Sequence, residues 1–391
     1  MTAPLDPAGR RRRAFGPDLL RALAVLMVVT CHAGALFFNW FGGAYPWQAA
    51  VSGFFGVELF FVLSGYLIGA LLLELLDARP GRRDWAVFLV RRWMRTLPAY
   101  WFWLAVLLLF WAPIGISRRH AAVLFTPLWQ NLAWPQVAGW FGVSWSLAVE
   151  EWFYLLFPLA LAATMAAATA SRRPAGDHAL PSRSWRVMPP VLAVFLLVPP
   201  LLRWQLPETV SWDRVTSQVV VFRLDAIAFG VLAIWLERLL RPSARVLAGC
   251  GIAGLALLAL VWTGRIDRVV HWGPHLRHTL LFDAGSTAFA LLMGAAARLP
   301  DPPAWLLHPV RVLSERSYAL YLVHLSVMEW VGYAMANHHW SPVLAVALSV
   351  AGMAVLPALS WRLLEAPILR RRPPQRTAPP IPGPLAAADP A

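Results

Sequence analysis

Apolar runs long enough to cross a bilayer succeed one another along almost the whole sequence. They lie near residues 19–38, 53–76, 97–112, 145–169, 187–203, 217–240, 246–263, 279–297, 313–337 and 342–364. About 20 apolar residues span the hydrocarbon core as a helix. Inside lipid every backbone N–H and C=O must be satisfied within the protein, which leaves helices or a closed barrel. Barrel strands alternate polar and apolar residues over ~10 positions, and these runs are longer and uniform. Only 14% of the residues are charged, against about 25% in soluble domains, so most of the surface is expected to meet lipid. The predicted fold class is therefore all-α: a polytopic membrane helix bundle of about ten transmembrane helices, with membrane lipids as partners.

Residues 17–369 read as one hydrophobic domain without an internal repeat. The flanking stretches 1–16 and 370–391 are rich in Pro, Ala and Arg and are expected to be disordered tails. Residues 117–143 hold only short apolar segments, broken by Pro127 and Pro135, and are expected to form an external or re-entrant loop.

Arginine placement sets the orientation, because basic residues are retained on the cytoplasmic side. With the N-terminus inside, 26 of the 34 arginines fall in cytoplasmic segments and seven outside, Arg203 among the latter, while Arg223 lies within a span. Both termini are thus predicted to be cytoplasmic. The net charge of +14 would suggest nucleic acid in a soluble protein. Here it follows from topology, so no nucleic-acid partner is expected. Arg10 to Arg13 precede a long apolar run with no small-residue cleavage site close behind, which reads as a signal anchor. Cys31 and Cys250 sit far apart in apolar runs and are expected to be buried, reduced thiols. No spacing suits a metal.

A charge at the centre of a membrane helix costs roughly 2.5–3.5 kcal/mol on insertion scales, so residues of this kind need a partner or a task. Asp18 and Arg21 stand at i,i+3 and can pair. Arg21 and His32 are separated by about three turns, sharing a face with the histidine ~16 Å deeper. Alone, His32 fits a buried structural histidine equally well. Glu58, Ser64 and Gly65 lie in one apolar run, where small residues also serve close packing. Arg92 and Arg95 share a face at i,i+3; they fit positive-inside anchors or a fork for phosphate, which guanidinium suits. Glu150 and Glu151 lie one turn below the external loop, with Tyr154 at i,i+4 from Glu150. Arg223 and Asp225 point to opposite sides, so each needs a partner on another helix. His324 and Glu365 are the last two.

These segments together resemble the acyltransferase-3 family of integral membrane acyltransferases. Its basic residue, ten others, then histidine is matched by Arg21 and His32. Its Phe-Phe-x-Leu-Ser-Gly stretch is matched by Phe60 to Gly65, and its Arg-x-x-Arg by Arg92 and Arg95. Trp145, Ser146, Leu147 and Glu150 fit its Trp-Ser-Leu segment with a following glutamate. Tyr321 to His324 and Glu365 to Pro367 fit its two late elements. Each is weak alone, but the ordered set covers most of the hydrophobic body. Glu58 stands where the family leads one to expect aspartate. The form without a fused esterase-like domain is expected.

The resemblance implies a bacterial inner-membrane enzyme that moves an acyl group, expected to be acetyl, from cytosolic acyl-CoA to a hydroxyl. The acceptor would be a glycan, glycolipid or macrolide-type molecule, carbohydrate-like or lipid-linked, reached from the outer side. Acyl-CoA would be a co-substrate, with no tightly bound cofactor. A hydroxyl is a poor nucleophile at neutral pH, and a histidine can take its proton, so His32 is the candidate base. Arg92 and Arg95 would hold coenzyme A phosphates, with Arg21 as a further cofactor-binding residue. Glu150 would act from the outer side, between His32 and the acceptor. Glu58, Ser64, Arg223, Asp225, His324 and Glu365 are candidates for substrate binding or structural polarity. The loop rings Phe125, Trp129, Trp134, Trp140 and Phe141, with Gln130 and Asn131, suit either a sugar or the interfacial belt. Two other classes compete: a proton-coupled transporter, which also uses intramembrane His and Glu, and a non-catalytic membrane sensor or assembly partner. The acceptor and the oligomeric state stay open at this point.

Overall fold

A computed structural model describes residues 14–43, 47–111, 115–137, 140–170, 184–264 and 274–374. Among them the regular structure is helical throughout, with no strand. The long helices in chain order are α1 (Phe15–Trp40), α2 (Trp47–Asp77) and α3 (Arg82–Phe110). A short α4 (Arg118–Phe125) precedes α5 (Ser144–Ala170) and α6 (Ser184–Trp204). Then come α7 (Leu224–Leu240), α8 (Ala244–Trp262), α9 (Pro274–Ala296), α10 (Ala304–His338) and α11 (Pro342–Ser360). The last runs through a π turn, Trp361–Glu365, into a terminal α12 (Ala366–Arg370). Nine of these segments are long and apolar enough to cross a membrane, so the chain is an all-α polytopic bundle.

The seventh helix differs from the expected run at 217–240. It starts only at Leu224, after a 3-10 turn at Val220–Phe222. The preceding backbone is drawn away: Val220 N–H donates to Asn131 O at 2.9 Å and Val221 N–H to Leu132 O at 3.3 Å. Arg223 consequently sits at the helix N-cap rather than in mid-span.

Helix α2 is the axis of the bundle. Two-thirds of its apolar window is buried, against about a fifth for α1, and it packs against α1, α7 and α9. Glycine makes the closest of these contacts possible. A Cβ on Gly65 would lie 1.9 Å from Ile227 O, and one on Gly230 would lie 2.0 Å from Val62 O. The two backbones therefore touch, the small-residue packing that membrane helices favour.

The segment expected as an external or re-entrant loop folds as a packed cap. Phe125, Trp140 and Phe141 are buried; Tyr100 stacks on Phe141 at 5.5 Å and its hydroxyl donates to Phe125 O at 2.7 Å. Gln130 and Asn131 are buried and serve the protein backbone: Gln130 Nε2 donates to Ser144 O, and Asn131 Nδ2 donates to Trp145 O and Gln218 O. They are not available to sugar hydroxyls, whereas Trp129 and Trp134 are exposed.

Of the expected tails, residues 1–13 and 375–391 lie outside the described residues. Phe15 and Gly16 belong to α1 and are buried. Arg371–Pro374 lie beside α3, where Arg91 Nη1 donates to Pro373 O at 2.5 Å. Cys31 and Cys250 are each half-buried rather than buried.

Candidate active site

The face of α1 predicted from the Arg21–His32 spacing is used at both levels. At the arginine-rich end, Ser314 of α10 donates to Asp18 Oδ1 at 2.7 Å, and Arg21 Nη1 reaches Ser314 Oγ at 3.2 Å and Asp18 at 3.5 Å. This ties α1 to α10 and holds the guanidinium end of the Arg21 side chain.

Arg21 opens onto a cavity of about 420 Å³. On α2 its lining extends from Glu74 to Val57, a length of about 26 Å at 1.5 Å per residue. Arg92 and Arg95 of α3 line it with Arg21 and Glu74. Further along, Ser64 is hydrogen-bonded to the Tyr154 hydroxyl, and Glu150 is also bonded to Ser64 and faces Arg95, Arg21 and Arg92. Glu150 thus belongs to the same cavity as the three arginines, not to a separate outer face. At the far end, Ser146 and Tyr321 hydroxyls meet at 2.6 Å, and Phe60 packs edge-on against the Tyr321 ring at 5.8 Å. Ser146 also donates to Val143 O, so Tyr321 is the donor in the pair.

Neither His32 nor His324 lines the cavity. They lie just beyond Tyr321, whose ring centroid is 5.9 Å from that of His324. His32 Nδ1 is 3.0 Å from His324 Nε2. The tautomers follow from the partners. His324 Nδ1 faces two backbone carbonyls, Tyr321 O at 2.8 Å and Leu320 O at 3.1 Å. A carbonyl only accepts, so this nitrogen carries the proton and Nε2 presents a lone pair. His32 must then donate from Nδ1, which leaves the lone pair of His32 on Nε2, the arrangement a general base needs.

A second polar cluster lies away from the cavity, where α2, α6, α7 and α9 meet. Arg223 pairs with Glu58, which also accepts from Ser286. Arg203 pairs with Asp225 and with Asp283, both at 2.7 Å, and donates to Thr279 O. The Arg223 guanidinium lies 3.9 Å from the Phe282 ring centroid. Arg223 and Asp225 do have partners on different helices. The cluster joins four helices through ion pairs, the arrangement of a buried brace. Arg203, counted outside from the sequence, is in fact almost fully buried. Asp283 and Ser286 were overlooked, although an aspartate within the run 279–297 was itself a signal. Glu365, in the π turn, accepts from Ser360 Oγ at 3.3 Å and is within electrostatic reach of Arg95.

Of the residues singled out in the sequence, Arg21, Ser64, Arg92, Arg95 and Glu150 line one cavity. His32 and His324 form a pair at its closed end, Glu365 stands beside its mouth, and Glu58, Arg223 and Asp225 belong elsewhere. Residues 15–362 match a family described as an acyltransferase domain. The chain is 26% identical to the O-acetyltransferase OatA of Staphylococcus aureus, over 91% of this chain and 57% of the relative. It is 25% identical to the peptidoglycan O-acetyltransferase OatA of Listeria monocytogenes, over 92% of this chain and 56% of the relative. The chain thus spans a little over half the length of these curated relatives. No solved structure matches.

Proposed function

Given that the chain belongs to the acyltransferase-3 family, we propose that it is a membrane O-acetyltransferase that moves an acetyl group from cytosolic acetyl-CoA to a hydroxyl of a peptidoglycan-type or related envelope glycan. The observation that carries this reading is the joining of three arginines to a deep cavity that ends beside a hydrogen-bonded histidine pair. Arginines suit phosphate through planar, multidentate donation, and the cavity gives an extended thioester arm a path from the phosphates toward the histidine pair. The arginine-rich end is the cytoplasmic one by the positive-inside rule. The acetyl group comes from the names of both relatives, and the acceptor class from that of the Listeria monocytogenes relative.

In the proposed reaction the acceptor oxygen attacks the thioester carbonyl carbon while His32 Nε2 takes the hydroxyl proton. The carbon–oxygen bond forms, the carbon–sulfur bond breaks, and the departing thiolate receives the proton held by His32. His324 holds His32 in the tautomer this requires. Phe60 and Tyr321 stand between cavity and histidines, so the acyl end reaches His32 when the Tyr321–Ser146 contact opens. Glu150 faces Arg95, Arg21 and Arg92 and helps to position their side chains.

The test is turnover by the purified full chain, given radiolabelled acetyl-CoA and a peptidoglycan fragment. Label in the glycan is expected, and none with His32→Ala. Label moved across vesicles without covalent product would instead identify a transporter.

A further inference from the structure

Arg372 lies past the end of the family match at residue 362 and is not among the residues that line the cavity. Its surroundings are nonetheless those of a binding residue. The π turn at Trp361–Glu365 places an extra residue in the helical turn, and α12 then delivers the segment after Arg370 to the flank of α3. Arg91 Nη1 clamps that segment through Pro373 O. Arg370 and Arg371 are exposed, while Arg372 is half-buried. It faces Arg91, Arg92 and Arg95 rather than any carboxylate, and it is held below the usual arginine range, at about 9, by burial first and then by Arg95, Arg92 and Arg91.

Like charges gathered in partial burial are unfavourable unless an anion joins them. The hydrogen-bond ledger points the same way. Among the described residues, Arg372 Nε and Nη2 and Arg92 Nε are buried and have no acceptor, although a buried donor left unpaired costs about 1–3 kcal/mol. Planar donors brought together from two elements match the oxygens of a phosphate.

We propose that Arg372 completes, with Arg92 and Arg95, the site for the phosphates of the acyl-CoA donor, so that the segment after the last helix is part of donor binding. This rests on the donor reading above. Anionic lipid headgroups share the phosphate chemistry, and the two sources are separable. Calorimetry on the full chain in neutral-lipid nanodiscs, titrated with coenzyme A and with pantetheine, provides the test. Arg372→Gln is expected to weaken coenzyme A binding about tenfold or more, the scale of one charge-assisted contact, and to leave pantetheine binding unchanged. Arg372→Lys is expected to fall between, and Arg371→Gln, with the same loss of charge at the exposed neighbouring position, to match the unaltered chain. Retention of the thermal melting point in Arg372→Gln separates lost binding from lost folding. Coenzyme A affinity unchanged in Arg372→Gln overturns the proposal alone. So does an effect that appears only when phosphatidylglycerol is added, since the occupant is then a lipid headgroup. If the unaltered chain binds no coenzyme A, the donor reading falls and this proposal with it.

Discussion

His32 Nδ1 lies 3.0 Å from His324 Nε2, and the other nitrogen of His324 is committed to the carbonyls of Leu320 and Tyr321. The pair therefore has one direction of donation when both rings are neutral. His32→Ala should lower kcat by about 10²–10⁴-fold, the usual contribution of a general base, with coenzyme A affinity preserved. His324→Leu should lower kcat and distort the pH–rate profile, because His32 then adopts either tautomer. His324→Gln, whose side-chain carbonyl can accept from His32, should restore part of the rate. Identical pH–rate profiles for the unaltered chain, His324→Leu and His324→Gln would refute this role of His324.

Arg92→Ala and Arg95→Ala should each weaken coenzyme A binding about tenfold or more, on the scale of a lost contact to phosphate. Coenzyme A and acetyl-CoA should suffer alike, since on the proposed reading the acyl end would lie at the opposite end of the cavity. Unaltered affinity by calorimetry would return both residues to the role of membrane anchors.

The Glu58–Arg223 pair is predicted to be structural. Both side chains are buried, and removing one partner of such a pair costs about 3–5 kcal/mol because the other charge is stranded. Glu58→Gln should therefore lower the thermal melting point in detergent markedly. The double substitution Glu58→Leu with Arg223→Met should recover much of that loss. A Glu58→Gln protein that melts normally but is inactive would move this residue into the catalytic machinery.

Reporter fusions after residue 374 and near Ala133 test the orientation. A cytoplasmic reporter is expected to be active at the first position and a periplasmic one at the second. The reverse pattern would place the arginine-lined mouth on the outer side and remove the route for cytosolic donor.

Trp129 and Trp134 are exposed, whereas Phe125, Trp140 and Phe141 are packed inside the cap. Alanine at Trp129 or Trp134 should raise the KM for the glycan acceptor and leave that for acetyl-CoA unchanged. Alanine at Phe125 should instead destabilise the fold, by about 3–5 kcal/mol.

The helices were readable because lipid demands long uniform apolar runs, and nine of the expected ten spans meet that standard of length and hydropathy. The tenth, at α7, was misread at its start because the backbone at Val220 and Val221 prefers the cap segment as a partner, a contact between residues distant in the chain. The face shared by Arg21 and His32 followed from helical periodicity, and the partners of Arg223 and Asp225 were anticipated as lying on other helices. Which helices these were did not follow, because side-chain direction in a bundle depends on packing neighbours that no local pattern names. The same limit hid the position of Glu150: its depth on α5 was legible, but its inclusion in the arginine cavity depends on how α5 is rotated against α2 and α3. Arg203 misled for another reason. An arginine at a helix end looks like an interfacial anchor, and only the two aspartates beside it reveal otherwise.

The contact of Phe60 with Tyr321 has a consequence for the cell that would house this protein. An arginine-lined passage open to both faces of a membrane would let water and ions follow the substrate and dissipate the proton-motive force. Here two aromatic rings stop the passage short of the histidine pair, and the Tyr321 hydroxyl is anchored to Ser146. On the proposed reading, an acyl group would displace those rings by filling the volume they vacate, so that the passage of the acyl chain and the exclusion of ions become the same event. Energy coupling across the bilayer would then be preserved at each turnover.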